Sequence, residues 1–155
     1  MSDGVHRYAA TCVWAGSTAA GYDAYERAHT ATAPPAEATV ALSSDPTFRG
    51  DARLLNPEVL LVLSASSCQL LSFLAVAARA RVDVVDYRDD AEGEMPEAVQ
   101  PVRITRIVLR PRITVRGLVD SARLEHLVEV AHRECFIANS LATEIVVEAT
   151  FHTAP

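Results

Sequence analysis

The sequence lacks the short motifs that identify several large classes of enzyme. It contains no G-x-G-x-x-G, no phosphate-binding P-loop and no G-x-S-x-G, so the usual signals of nucleotide binding and of serine hydrolysis are missing. Metal-ligand spacings such as Cys-x-x-Cys and His-x-x-x-His are missing as well. His126 and His132 are six residues apart, which turns them onto different faces of a helix. We therefore predict no metal and no cofactor.

Positive charge is also in short supply. Arginine and lysine together number 14 against 20 aspartates and glutamates, which gives a net charge of −6. A nucleic-acid partner would require a clustered basic surface to meet its phosphates. No segment resembles a basic amphipathic helix that would lie on a membrane. Nucleic acid and membrane surfaces are therefore not expected as partners.

Cysteine occurs only three times. The N-terminus lacks the basic start, apolar segment and small-residue cleavage site of a secretory signal, which predicts a cytoplasmic protein with reduced thiols. Such cysteines serve redox, metal or nucleophilic roles, or they pack as small hydrophobic residues. Cys12 alternates with aromatic residues in a predicted strand and has no base or ligand at a useful spacing. We interpret Cys12 as a packed hydrophobic residue.

The stretch 56–81 is the longest apolar segment of the chain. Asn56 can cap a helix, Pro57 suits its first turn, and Glu58 suits the positive end of the helix dipole. A helix that is apolar on nearly all sides is either a core helix or a membrane span. Serines and a glutamine crowd its middle, and no second apolar run or basic flank sets a topology. These features favour a core helix around which the other elements pack.

The rest of the chain alternates between strand and helix patterns. Alternation predicts strands at 6–14, 22–32, 38–43, 82–95, 102–116 and 144–152, and three- and four-residue steps predict a second helix at 120–139. The order β-β-β-α-β-β-α-β indicates one largely antiparallel α+β domain covering residues 1–155. Acidic residues on strand 82–95 match a row of arginines on strand 102–116. We interpret that row as a solvated sheet face held by ion pairs.

Two of the cysteines lie on the predicted helices. Cys68 is near the centre of the long helix, and Cys135 is on the apolar stripe of the second. Both could point into one core, where their sulfurs could meet. Periodicity alone favours two unrelated buried cysteines, because free cysteine is among the most frequently buried residues.

A reactive Cys68 would need a cation nearby, because the thiolate is the nucleophile and mid-helix gives no help from the helix dipole. Arg27, Arg49 and Arg53 are candidates, with Glu58 as the carboxylate partner of a buried arginine. Glu58 and Cys68 stand ~15 Å apart along one straight helix. A site containing both would require two copies of the helix packed antiparallel in a twofold dimer.

Two motifs in this order are similar to a known family. Asn-Pro-Glu at 56–58 is followed ten residues later by Cys68 in an apolar helix, and Cys135 is followed by Ile-Ala-Asn-Ser at 137–140. Over essentially its whole length the chain resembles the OsmC/Ohr family of peroxide-reducing proteins. The resemblance implies an OsmC-like fold in an intertwined homodimer, in which each subunit contributes a curved sheet and two helices, with two active sites at the interface.

The resemblance also implies a thiol peroxidase mechanism. Cys68 matches the cysteine that attacks a hydroperoxide and becomes a sulfenic acid, and Cys135 matches the resolving cysteine that forms a disulfide with it. The reductant implied is a dithiol of the lipoyl type. Glu58 matches a glutamate that holds an active-site arginine by an ion pair.

The position of that arginine stays open at the sequence level. Family members carry it on the early hairpin or in the loop before the helix, where this chain offers Arg27 and Arg49. Proximity to Asn-Pro-Glu favours Arg49. The alternative to an enzyme is a non-enzymatic OsmC-like dimer that binds a small apolar ligand and leaves both thiols inert.

Overall fold

A computed structural model describes residues 4–155 of the chain, and its close contacts fall into two compact units divided between Leu60 and Leu61. The strands are β1 Thr11–Val13, β2 His29–Thr32, β3 Thr39–Leu42, β4 Asp83–Asp89, β5 Glu92–Glu94, β6 Arg106–Leu109, β7 Pro111–Arg116, β8 Glu144–Val147 and β9 Thr150–Ala154. The helices are α1 Pro57–Arg79, α2 Ser121–Glu134 and α3 Phe136–Ser140. The prediction of a single domain stays a prediction.

The first unit is built on a small antiparallel sheet in the order β1-β2-β3. After β3, the chain makes one 3-10 turn at Pro46–Phe48, capped by the Asp45 carboxylate, which accepts a hydrogen bond from Thr47 N–H at 2.8 Å. The chain then enters the first turn of α1. The strands are shorter than predicted, because residues 22–28 form turns and coil instead of extending β2. Cys12 is exposed in β1, so its interpretation as a packed residue is wrong.

Helix α1 begins and ends as the sequence predicts. The Asn56 side chain accepts a hydrogen bond from Val59 N–H at 2.8 Å, which caps the N-terminus. At the C-terminus, Arg81 adopts a left-handed φ of 58°, and Val82 N–H donates to the Ala77 carbonyl at 2.9 Å. These two features form a Schellman motif, which satisfies carbonyls that the helix leaves unpaired.

Much of the apolar surface of α1 remains uncovered within the described chain. Length and composition would allow it to cross a bilayer, and 22% of its most apolar window is buried. Leu63, Leu71 and Leu74 are 54%, 64% and 38% exposed. Side chains of this size gain about 1.5–3 kcal/mol each when they are fully buried. The exposed face of α1 is therefore a large apolar surface that remains available for a partner.

The second unit packs two three-stranded sheets, β4-β7-β9 and β5-β6-β8, with the helices. One core cluster joins the C-terminal half of α1 to β4, β7 and α2, and includes the fully buried Phe73 and Ile113. A second cluster joins Ala65 of α1 to Ile107 and Leu109 of β6. Both clusters pack against α1, as the sequence predicts for its longest apolar segment.

A hydrogen-bonded carboxylate and a close approach at a glycine hold α1 against these sheets. The Asp89 carboxylate accepts hydrogen bonds from Ser66 Oγ at 2.5 Å and from Arg110 N–H at 2.6 Å. Gly93 allows β5 to approach the helix closely, because a Cβ atom there would lie 2.6 Å from Val62 Cγ2. The middle of α1 is thus fixed relative to the strands, and Cys68 lies in this region.

The α+β class is confirmed, whereas the predicted arrangement of one curved sheet with two helices is wrong. The described residues form three small sheets and three helices. Three of the predicted strands are each divided into two, namely 82–95, 102–116 and 144–152. Strand 102–116 is divided at Arg110. The second predicted helix is interrupted at Cys135, whose backbone is extended. Four of the six strand pairings are antiparallel, and β6/β8 and β7/β9 are parallel.

The arginine row is a solvated face, as predicted. Arg116 pairs with Asp83 at 2.7 Å and Arg112 with Asp90 at 2.8 Å. Arg110 contacts two further carboxylates, Glu92 at 2.9 Å and Glu148 at 3.1 Å. These side chains are roughly half exposed, so solvent screens the pairs and each contributes little to stability.

Candidate active site

Cys68 lies in the middle of α1 with its thiol half-buried. The Ile137 N–H at the start of α3 donates a hydrogen bond to the Cys68 sulfur at 3.5 Å. The residue also lines a cavity of about 530 Å³, which gives its sulfur access to a small molecule. The structure therefore combines a fixed sulfur with an open approach.

Cys135 lies where α2 ends and α3 begins. Its φ and ψ of −69° and 112° break the helix, and its sulfur accepts a hydrogen bond from Ala138 N–H at 3.5 Å. In this position the thiol acts as the N-terminal cap of α3. The residue is 1% exposed, so it faces the protein interior.

The two thiols are neighbours: the Ile137 and Ala138 N–H groups, which donate to the sulfurs of Cys68 and Cys135, are consecutive amides of α3. No disulfide joins them. Burial, together with the interaction with the neighbouring Cys68 sulfur, raises the pKa of Cys135 to about 11. The Ala138 N–H, which donates to the Cys135 sulfur, lowers the pKa of Cys135. Burial disfavours the thiolate, and a hydrogen bond donated by the thiol stabilises its protonated form. Cys135 is therefore a protonated thiol at neutral pH, placed against the more accessible Cys68.

Sequence reasoning did not find the polar groups near this pair. Burial raises the pKa of Tyr87, with further contributions from Asp89 and Cys135. The Tyr87 hydroxyl and Gln69 Oε1 are buried, and neither has a hydrogen-bond partner in the described chain. The available signal for Gln69 was its amide within a long apolar helix, next to Cys68.

The cavity beside Cys68 follows one stripe of α1. Leu71, Ser72, Ala75 and Arg79 succeed Cys68 at helical spacing and line one wall. The opposite wall is formed by side chains around the junction of α2 and α3, namely Arg133, Glu134, Phe136 and Asn139. Sequence reasoning missed these lining residues, although the spacing from Cys68 would have placed Ser72, Ala75 and Arg79 on its face.

Arg27 lies in the first unit, where it is only 8% exposed. Its guanidinium stacks on the rings of Tyr25 and Tyr22, with its central carbon 3.7 and 4.8 Å from the ring centroids. The same group donates hydrogen bonds to the carbonyls of Tyr25 and Tyr22. These contacts hold a charged side chain in a defined position in a largely buried site.

Glu58 and Arg27 line the same cavity of about 250 Å³, together with Trp14, His29 and Phe48 among others. In the described part of the chain, Glu58 forms no ion pair with an arginine. Arg49 does not line this cavity. Its guanidinium is exposed and pairs with Asp23 at 2.9 Å. The structure therefore places Arg27 and Glu58 on one cavity, whose lining does not include Arg49.

No group of three or more His, Cys, Asp or Glu side chains among residues 4–155 is placed to hold a metal ion. The arrangement of Cys68 and Cys135 can instead perform thiol chemistry. A hydroperoxide that enters the cavity would reach Cys68, and the oxidised sulfur would have a second thiol, Cys135, as its neighbour.

Comparison with known proteins identifies the family. The sequence profile of the OsmC-like proteins matches residues 50–150, which include α1, Cys68 and Cys135. The chain belongs to the OsmC-like family. An OsmC-like protein of unknown function from Vibrio cholerae is 30% identical to it, with a TM-score of 0.85 over 94% of this chain and 100% of the other. The sequence-based identification of the family is thereby confirmed.

Two solved relatives of this OsmC-like protein are organic hydroperoxide resistance proteins. The protein from Elizabethkingia anophelis is 16% identical, with a TM-score of 0.70 over 98% of this chain and 99% of that one. The protein from Legionella pneumophila is 15% identical, with a TM-score of 0.67 over 96% and 98%. At such identities the likeness shows a shared fold. None of the curated proteins matches this chain.

Proposed function

We propose that this OsmC-like protein is a thiol-dependent peroxidase that reduces organic hydroperoxides to alcohols. The observation that carries the proposal is that an accessible thiol, Cys68, and a buried one, Cys135, are neighbours at the start of α3. Its family includes organic hydroperoxide resistance proteins, which supports the same chemistry. We assign the activity to oxidative-stress defence in the cytoplasm, where thiols are kept reduced.

In the first step, the Cys68 thiolate attacks the outer oxygen of the hydroperoxide. A sulfur–oxygen bond forms as the oxygen–oxygen bond breaks, and the departing alkoxide takes up a proton. The products are a Cys68 sulfenic acid and an alcohol. Because Cys68 lines the cavity of about 530 Å³, the peroxide can approach without opening the core.

In the second step, Cys135 loses its proton and attacks the Cys68 sulfenic acid. A disulfide forms and water leaves. Because the two thiols are neighbours at the start of α3, we expect this step to require only a local rearrangement. An external dithiol, such as one of the lipoyl type, then reduces the disulfide by exchange and becomes oxidised itself. Both thiols are restored for the next cycle.

The thiolate of Cys68 also requires a cation, which we assign to Arg27 in a homodimer. The exposed leucines of α1 provide an apolar surface that a second copy would cover. In this dimer, Cys68 of one subunit would face the partner subunit's Arg27, with the partner subunit's Glu58 beside it. The ring contacts and carbonyl acceptors that fix Arg27 support this choice over the exposed Arg49.

The alternative function is a non-enzymatic dimer that binds a small apolar ligand. The cavity beside Cys68 would serve that role equally well. In that case Cys68 and Cys135 would stay reduced when peroxide is present. The two functions therefore differ in the chemistry of the thiols and can be separated by a mass measurement.

The test is a titration with tert-butyl hydroperoxide up to one equivalent, followed by mass analysis of the intact protein and its peptides. We expect the wild type to lose two hydrogens as a Cys68–Cys135 disulfide. Cys135→Ser should gain one oxygen at Cys68. Cys68→Ser should form no disulfide with Cys135 and should gain no oxygen at position 68. Cys12→Ser is the matched control and should behave as the wild type. If the wild type forms neither the disulfide nor oxidised Cys68, the peroxidase function fails.

A further inference from the structure

Two buried polar side chains, Gln69 and Tyr87, lie where α1 packs against β4. On α1, Ser66, Gln69 and Phe73 succeed one another at steps of three and four residues, so they share one face of the helix. On β4, Tyr87 and Asp89 are two residues apart and share one face of the strand. Ser66 Oγ donates to the Asp89 carboxylate at 2.5 Å. The rings of Phe73 and Tyr87 pack with their centroids 6.0 Å apart. Gln69 therefore lies between these two contacts and faces the same part of β4.

Each of these two side chains buries a polar atom that has no partner. The Gln69 amide nitrogen donates to the Val128 carbonyl of α2 at 3.5 Å, whereas Gln69 Oε1 accepts no hydrogen bond from residues 4–155. The Tyr87 hydroxyl is likewise unpaired within that range. Methionine and phenylalanine would fill similar space without burying an unpaired polar atom. Packing alone therefore does not account for the two polar groups, and they point to a bound ligand.

The cysteine pair lies beside these two groups. Gln69 follows Cys68 directly along α1. Burial raises the pKa of Tyr87, and the charges of Asp89 and Cys135 raise it further, so Tyr87 is close enough to Cys135 for the two to interact. With its pKa raised, Tyr87 stays protonated at neutral pH. Its hydroxyl is therefore available as a hydrogen-bond donor.

The Cys135 sulfur has few groups around it that would stabilise a thiolate. The Ala138 N–H donates to it at 3.5 Å, the Cys68 thiol is its neighbour on α1, and Tyr87 and Asp89 are the titratable groups on β4. Burial is the largest cause that raises the pKa of Cys135 to about 11, so little of the attacking thiolate forms at neutral pH. A further donor beside the sulfur would favour the thiolate.

We infer that Tyr87 and Gln69 hold one water molecule that donates a hydrogen bond to the Cys135 thiolate during disulfide formation. This inference rests on the proposed peroxidase function and adds two positioning residues to its second step. The Tyr87 hydroxyl donates to the water oxygen, and the water donates one hydrogen to Gln69 Oε1 and the other to the Cys135 sulfur. Buried waters typically make about three hydrogen bonds of this kind.

The step itself needs no further reagent. Cys135 gives its proton to solvent, and its thiolate attacks the sulfur of the Cys68 sulfenic acid. The sulfur–sulfur bond forms as the sulfur–oxygen bond breaks, which oxidises the Cys135 sulfur and reduces the Cys68 sulfur. The departing hydroxide takes up a proton from solvent. The held water stays in place and stabilises the charge that Cys135 carries before the attack.

The experiment follows both steps of a single turnover with tert-butyl hydroperoxide by acid quenching and mass analysis. In Tyr87→Phe, oxidation of Cys68 should stay within about twofold of the wild-type rate. Disulfide formation should slow by about tenfold at every pH from 7 to 9, as expected for one hydrogen bond to a charged group. Gln69→Met should behave in the same way. Tyr8→Phe is the matched control, because it removes the hydroxyl of a ring that is 91% exposed, and both of its rates should be unchanged.

The direction of the change separates this role from a structural one. Damage to the core would admit solvent to Cys135, lower the pKa of its thiol and accelerate disulfide formation. Tyr87→Phe should instead be slower, with a Tm within about 3 °C of the wild type. The double variant Tyr87→Phe/Gln69→Met should be no slower than the slower single variant, because both side chains hold one water. A Tyr87→Phe rate of disulfide formation at or above that of the wild type, or losses that multiply in the double variant, would overturn the inference.

Oxidation by diamide separates the inference from the peroxidase function, because it needs no hydroperoxide. The Cys68 thiolate adds to diamide, and Cys135 then displaces the reduced reagent to form the same disulfide. If Tyr87→Phe slows this second step while the wild type consumes no hydroperoxide, the water site stands and the peroxidase function fails. If the wild type consumes hydroperoxide and Tyr87→Phe forms the disulfide at the wild-type rate with both oxidants, the water site is refuted and the peroxidase function stands.

Discussion

Oxidation of the cysteine pair should stabilise the protein by a large amount. Cys68 and Cys135 are far apart in sequence and are neighbours in the fold, so their disulfide would close a loop of roughly 70 residues. In the chain-entropy model such a loop restricts the unfolded state by about 4 kcal/mol. The thiols are already neighbours, so we expect little of this gain to be lost to strain in the native state.

The corresponding change in melting temperature can be worked from the length of the chain. At about 2.1 cal/mol/K per residue, 155 residues give an unfolding entropy near 0.33 kcal/mol/K, so about 4 kcal/mol raises Tm by about 12 °C. The assay is differential scanning calorimetry of protein reduced by dithiothreitol and of protein treated with one equivalent of tert-butyl hydroperoxide.

Each variant serves as its own reference in this assay. Cys135→Ser and Cys68→Ser should show no increase on treatment with peroxide, whereas Cys12→Ser should show the wild-type increase. An oxidised wild type whose disulfide is proved by mass, yet which melts at or below the temperature of the reduced form, would refute the reasoning. It would mean that the bond forms only after the site around Cys135 has been distorted.

Three further predictions concern the rates and the stability of the fold. Because the pKa of Cys135 is raised to about 11, the fraction of its thiol present as thiolate grows about tenfold per pH unit below that value. The rate of disulfide formation in a single turnover should therefore increase from pH 7 to 9. A rate that does not change with pH would contradict this. Arg27→Gln should slow the reaction of Cys68 with hydroperoxide by about 100-fold. Arg49→Gln should keep the rate within about twofold of the wild type, because the Arg49 guanidinium is exposed. Stopped-flow rates in the reverse order would exclude Arg27 as the cation. Asp89→Ala should destabilise the protein by about 1–3 kcal/mol in urea unfolding, because two hydrogen-bond donors lose their acceptor. Asp90→Ala removes exposed ion pairs and should cost less than about 1 kcal/mol. Equal losses of stability in the two variants would contradict a special role for the Asp89 carboxylate.

Local signals in the sequence were sufficient to predict α1. Asn56 caps the helix as expected, and the apolar run continues to the end of α1 at Arg79. The same kind of reasoning failed for the strands after α1. Alternation persists through Arg110, so periodicity cannot show that β6 and β7 belong to different sheets. The parallel pairings with β8 and β9 depend on contacts distant in sequence, which alternation does not encode.

The candidate site was predictable only in part. Periodicity placed Cys68 and Cys135 on apolar faces and favoured two unrelated residues, whereas resemblance to the family suggested that they act together. Proximity along the chain favoured Arg49, but the 3-10 turn before it directs its side chain toward Asp23. Arg27 is held by two aromatic rings and two carbonyls, an arrangement that only the folded chain displays.

The most direct test of the account is steady-state turnover of an organic hydroperoxide with a lipoyl-type dithiol as the electron donor. The wild type should consume many equivalents of hydroperoxide and produce one alcohol and one oxidised donor per equivalent, without added metal or flavin. Cys68→Ser should consume none. A wild type that consumes no hydroperoxide, or a Cys68→Ser variant with the wild-type rate, would contradict the proposal that Cys68 is the nucleophile of a peroxidase.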